Sequence, residues 1–475
     1  PLDHQPSYPG SGQVYFLILL FEKSRLLSAL HGKIDAMKKI IPMLASAIAL
    51  SLTALPSEAQ SHLVKLTNHL EPYGFFRASA IFDARDSKAD TEDLFYYVPY
   101  DKKINLEGND IWYNPSIKMS AITTRLGVNL TGFRYGSFNV TGKLETDFYL
   151  LTGGSASLSL REAYLKFNWD NLGDFFKSVS VKAGHAWHPM SLDMPYSVGY
   201  EAGAPFNPYA RSPQLMFETN LMDRFTFTAG LLYPMEFMPT GPQGPSADYV
   251  KYGLVPELYA GLTYSSKYIK ARVGADFISL VPRWRTTDLT YYHDVGTKVK
   301  DRISMISPMA CFEFSKGMFK VNAKAVLASG GDHLRLMGGY AVYDKSDDYK
   351  YKYTPLRSVT GFVSASYGQQ WQFILFAGGM TALGAGHDLI TDDETGYAKT
   401  AYIYYFDGGF KNIRYMFRVA PAVAFNLERL TCAIEYNSTG VIYGQMNELN
   451  ARGLANMGEH LIINHRILGV VRYSF

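Results

Sequence analysis

Apolar and polar residues alternate along most of this chain. In "GSFNVTGKLETDFYLL", Phe138, Val140, Gly142, Leu144, Thr146, Phe148 and Leu150 fall on one face of an extended strand. Asn139, Thr141, Lys143, Glu145, Asp147 and Tyr149 fall on the other. One such strand suits a soluble sandwich, whose apolar face meets a core, as well as a membrane barrel, whose apolar face meets lipid. The repeat along the chain separates the two. Sixteen segments of this kind begin near Tyr73, Ser116, Gly136, Leu158, Val179, Gln214, Arg224, Lys251, Tyr268, Asp301, Met318, Pro355, Trp371, Asn412, Thr431 and Glu459.

Their connections sort by length. Short turns such as "GFRYG" (Gly132–Gly136), "NLMDR" (Asn220–Arg224), "SKG" (Ser315–Gly317) and "NLER" (Asn426–Arg429) alternate with long excursions over 84–115, 188–213, 234–250, 282–300, 330–354, 384–411 and 441–458. One intervening loop, "TGGSAS" (Thr152–Ser157), is short. A sandwich has no reason to sort its loops by parity, whereas an outer-membrane barrel does. The pattern therefore predicts an all-β transmembrane antiparallel barrel of about 16 strands over 73–475, with short periplasmic turns and long extracellular loops. An even strand number leaves both ends of the barrel in the periplasm. The closing "GVVRYSF" then ends on the lipid face at the periplasmic rim, where Tyr473 and Phe475 read as an assembly signal for the barrel-assembly machinery.

Composition agrees with this pattern. Mean hydropathy is −0.09, yet aromatics reach 15%, with 35 Tyr and 29 Phe. Strands apolar on one side only produce that combination. The run "MKKIIPMLASAIALSLTALPSEA" has a basic start, an apolar centre and a small-x-small end, so 37–59 reads as a signal peptide. Residues 1–36 read as an upstream extension outside the mature protein, and 60–72 as a short periplasmic N-terminal segment. The protein is expected in the cell outer membrane of a Gram-negative organism.

A formal net charge of +3 gives no bulk drive toward nucleic acid. Cys311 and Cys432 lie on separate strand-like segments and are expected to be free thiols. His185 and His188 are three apart on an extended segment that meets a proline, with no third ligand near in sequence, and read as rim histidines rather than a metal site. "HDLITDDE" (His387–Glu394) lacks the ligand spacing of a calcium loop. It reads as an outer loop that meets lipopolysaccharide through bridging cations. No nucleophile elbow, phosphate loop or dinucleotide fingerprint is present, so no catalytic residues, metal or cofactor are assigned.

Several segments carry a resemblance. "YGFFRASAIFDAR" (Tyr73–Arg85), "MSAITTRLGVNL", "VTGKLETDFY", "LREAYLKF" and "VKAGHAWHPM" followed by "ARSPQLMFE" resemble, in that order, the early strands of the DcaP-like porins. The likeness covers 73–220 best, with the terminal Phe added. Between Gln60 and Tyr73 there is no heptad segment of the kind that precedes the barrel in some members. The resemblance implies a homotrimeric, sixteen-stranded channel that leans toward anions, with an arginine ladder facing acids on an infolded loop.

Strand parity places Arg77, Arg125, Lys143, Glu145, Asp147, Glu162, Lys166 and Lys182 on the lumen face. Such charges select solutes by sign, or they brace the wall as ion pairs, as Arg125 with Glu145. The excursion 188–213 carries Asp193, Glu201 and Arg211 and is stiffened by five prolines. It reads either as a constriction folded into the lumen or as an external loop against a neighbouring subunit. The functional expectation is a passive porin for small polar or anionic solutes. The alternatives are a barrel-type outer-membrane enzyme and an adhesin whose loops carry the function.

Overall fold

The computed structural model describes residues 69–152, 155–285, 298–346, 350–405, 410–445 and 447–475. The expected signal peptide, the upstream extension and most of the 60–72 segment lie outside the described residues. The first eight barrel strands are β1 (Leu70–Asp83), β2 (Ser116–Ser120, resuming as Arg125–Tyr135), β3 (Phe138–Thr152), β4 (Ser155–Asp170), β5 (Phe176–Trp187), β6 (Arg211–Leu221), β7 (Phe225–Leu232) and β8 (Glu257–Ser265). The second eight are β9 (Ile269–Arg285), β10 (Lys298–Lys316), β11 (Phe319–Ser329), β12 (Tyr351–Gly368), β13 (Trp371–Ala385), β14 (Ile413–Leu427), β15 (Leu430–Tyr443) and β16 (His460–Ser474). Each pairs antiparallel with its neighbours, and β16 returns to β1 from Phe75↔Ser474 to Asp83↔Arg466, closing a barrel of 16 strands. Closure leaves no free sheet edge. Phe475 completes the seam through backbone hydrogen bonds to Gly74 of 3.0 and 3.2 Å. Among the described residues no helix is long and apolar enough to cross a membrane.

Alternation fixes which side chains face out. Phe76, Leu144, Phe217, Ile434 and Val471 are exposed on the outer surface, while their neighbours Arg77, Glu145, Glu218 and Glu435 point inward. A one-residue slip would exchange these sets and put carboxylates in lipid, so the pattern holds the register. It breaks once. Between β3 and β4 the pairing jumps from Glu145↔Glu162 to Thr146↔Leu160, leaving Arg161 as the extra residue of a bulge. Arg161 and Glu162 are both buried inward, although strict alternation would send one of them to lipid.

The expected strand starts agree with the observed ones within four residues, with one exception. Lys251 does not open a strand; it ends a short helix, α1 (Asp248–Lys251). The chain then turns through Leu254 at φ 58°, and Pro256, which has no N–H for the ladder, delays pairing to Glu257. The short loop expected over Thr152–Ser157 is tighter still, since Thr152 pairs with Ser155. Both cysteines are free, Cys311 buried and Cys432 exposed.

Several long excursions pack inside the barrel rather than outside it. The hairpin Ser87–Asp90/Phe95–Pro99 from the first excursion brings Phe95 and Tyr97 against Phe206 and Tyr209 of the third. These rings meet Phe362, Phe376 and Met416 of the inner wall in one buried cluster. Gly378 permits the approach: a Cβ there would lie 2.6 Å from the Phe206 ring.

Candidate functional site: the inner wall and the loop folded against it

The inward face of β2 to β4 carries a compact charge network. Arg161 lies 2.9 Å from Glu145 and 2.8 Å from Asp147. Arg125 reaches the same two carboxylates at 3.6 and 3.3 Å, and Lys143 sits 3.3 Å from Glu145 and 2.7 Å from Glu162. Lys166 pairs with Glu218 of β6 at 3.1 Å. The pairing of Arg125 with Glu145 read from the sequence is present, but Arg161, absent from that reading, bridges the two most buried acids of this network. Of the residues that strand parity places inward, Arg125, Lys143, Glu145, Asp147, Glu162 and Lys166 are thus held in ion pairs.

The segment 188–213 is fastened to inward-facing side chains from many strands. Arg77 of β1 donates to the Val198 carbonyl at 3.0 Å. Glu435 of β15 accepts from the N–H groups of Val198 and Gly199 at 2.8 and 3.2 Å. Asp193 pairs with Lys270 at 2.7 Å and with Arg272, both on β9. Lys324 of β11 donates to the Met190 and Leu192 carbonyls and, at 2.7 Å, to Asn207. Arg418 of β14, fully buried, donates to the Ala204 carbonyl at 2.9 Å and lies 3.5 Å from Glu201. Arg211 pairs with Glu236 and lies 4.7 Å from the centre of the Trp187 ring. Tyr200 donates to Asp147 at 2.9 Å, joining the loop to the charge network. Burial, then the neighbouring Tyr209, holds the Tyr200 phenol well above its ordinary pKa, so it remains a neutral donor.

Toward the short-turn end lies a cavity of about 370 Å³. Lys166, Lys182, Lys270 and Arg272 line it, with Glu218 as its one carboxylate, and Pro189 and Leu192 of the loop also border it. Among the described residues, Lys182 is the cation of this group without a carboxylate partner within ion-pair distance; its ammonium sits 5.4 Å from the Tyr164 ring centre.

His188 corrects the sequence reading. It is not a rim histidine but a fully buried residue 2.9 Å from Glu257, with Asp276 and His333 beside it. The third ligand type that its sequence neighbours lack comes from other strands and another loop. Arg161, Lys270, Arg272, Lys324, Arg418 and Glu435 were also missed. "IKARVGAD" carries a period-two signal that places Lys270 and Arg272 on one face, and "YMFRVAPAVAF" places Arg418 opposite Phe417 and Val419. The bulge at Arg161 has no such signal.

No sequence family matches the chain, and no curated protein does. Solved structures do match. The outer membrane channel DcaP of Acinetobacter baumannii has a TM-score of 0.58 at 15% identity, covering 86% of this chain and 97% of that one. An anion-selective porin from Comamonas acidovorans has a TM-score of 0.46 at 10% identity, covering 86% and 99%. The fold is therefore that of a porin-type barrel of the outer membrane. Within that class the chain is similar to the DcaP channel.

Proposed function

We propose that this protein is a passive outer-membrane diffusion channel for small polar solutes, with anions favoured, and that it is not an enzyme. The observation that carries the reading is the cavity at the short-turn end, with four cationic side chains and a single carboxylate. A cation-rich vestibule concentrates anions before they meet a constriction. Lys182 contributes most to this preference, because Lys166, Lys270 and Arg272 are partly neutralised by Glu218 and Asp193. The segment 188–213, with Asp193, Glu201 and Arg211, acts as the constriction. Homotrimer assembly, contact of the acidic loop His387–Glu394 with lipopolysaccharide, and recognition of Tyr473 and Phe475 during barrel assembly belong to the same proposal.

The test is the reversal potential across a salt gradient in planar bilayers. The wild type should prefer the anion, and Lys182→Glu should shift the potential toward cations by several millivolts or more. An unchanged potential in the variant would remove the vestibule from the account. A cation-preferring wild type would remove the anion preference.

A further inference from the structure

Four side chains from distant parts of the chain meet at the inner wall: Glu257 opens β8, Asp276 is on β9, His188 follows β5, and His333 is on a tight turn after β11. All four are buried, none more than 1% exposed. The His333 Nε2 atom lies 3.1 Å from Glu257 Oε1 and 3.4 Å from Asp276 Oδ2. His188 Nε2 lies 2.9 Å from Glu257 Oε1 and 3.8 Å from Asp276 Oδ1. Among the described residues no lysine or arginine pairs with either carboxylate. Glu257 Oε2 and Asp276 Oδ1 have no hydrogen-bond partner among the described residues. Two buried carboxylates, each with an orphaned oxygen, call for a compensating positive charge or a proton. Tetrahedral ligand atoms about 2.0–2.1 Å from zinc stand roughly 3.3 Å apart. The separations around His333 match that spacing.

The two imidazoles differ in what they can do. Met190 N–H donates to His188 Nδ1 at 3.1 Å, so a neutral His188 carries its proton on Nε2 and donates it to Glu257. His333 Nδ1 instead faces the Asp332 carboxylate at 3.9 Å, and among the described residues neither Nδ1 nor Asp332 Oδ1 has another partner. A proton on Nδ1 toward that carboxylate leaves the Nε2 lone pair aimed at Glu257 and Asp276.

We propose that His333, Glu257 and Asp276 bind one divalent transition-metal ion, zinc in the first instance, with His188 as a positioning residue that orients Glu257. The ion ties the turn carrying His333 to the barrel wall beside the root of the 188–213 loop. The ligands are mixed nitrogen and oxygen, a set that suits zinc and its neighbours rather than calcium.

The test is zinc content after refolding the full chain into detergent with zinc sulfate and dialysing away excess. The wild type should retain one zinc per chain, and His333→Ala and Glu257→Gln should each weaken retention at least a hundredfold. His188→Ala should keep the stoichiometry and weaken binding by about 10- to 100-fold, and X-ray absorption of the wild type should find one imidazole, not two. His460→Ala, at the surface, should change nothing. Wild type without tightly held zinc, or His333→Ala binding like wild type, overturns the site. If Glu257→Gln does not fold, wild-type stoichiometry and His333→Ala decide alone. Two imidazole nitrogens in the absorption spectrum would overturn the role given to His188.

Discussion

Arg161 explains why charge can be concentrated inside this barrel wall. Its guanidinium bridges Glu145 and Asp147, which are almost completely shielded from solvent, and Arg125 shares both. Removing one partner of a buried network leaves an uncompensated charge, which costs more than the pair itself contributes. Arg161→Ala should therefore destabilise the barrel by about 3 kcal/mol, read as a lower urea midpoint in lipid vesicles. An unchanged midpoint would show that water screens the network. Single residues were legible in the sequence where alternation was strict. Arg77, Lys143, Glu145 and Asp147 face inward as parity requires. Arg161 was not legible, because the bulge that turns it inward is set by pairing with β3 and not by its own segment.

At the level of elements, each strand is a two-faced ribbon, and period two is enough to find it. Strand starts were legible because the turns at one end are short and carry their own signals, such as the positive-φ residues Gly317, Gly136 and Glu428. The start at Lys251 failed because residues 248–251 close into a helical turn before Pro256. The two-faced assignment makes a direct prediction. Leu144→Arg, on the lipid face of β3, should lower folding into vesicles by about 2–4 kcal/mol if it lies near the bilayer midplane. Thr228→Arg faces the cavity and pairs across from Glu218, so it should fold nearly as wild type. Equal losses would mean that the faces are misassigned.

The whole molecule combines a barrel that was legible with an interior that was not. Sixteen alternating segments specify closure, but no local pattern tells that the hairpin from 87–99 enters the bore and packs on Phe206, Tyr209 and Phe376. Nor does sequence spacing bring His188, Glu257, Asp276 and His333 together; the closed sheet and two infolded loops do. The buried aromatic cluster places part of the cross-section under side-chain control. Replacing residues 87–99 by a short Gly/Ser turn should raise single-channel conductance severalfold, while unchanged conductance would put the limiting constriction elsewhere.

Purified, refolded protein added to a planar bilayer gives the most direct test that the barrel conducts. Discrete, ohmic current steps in neutral salt, carried mainly by the anion, are expected. A correctly folded barrel that inserts yet passes no current would contradict this.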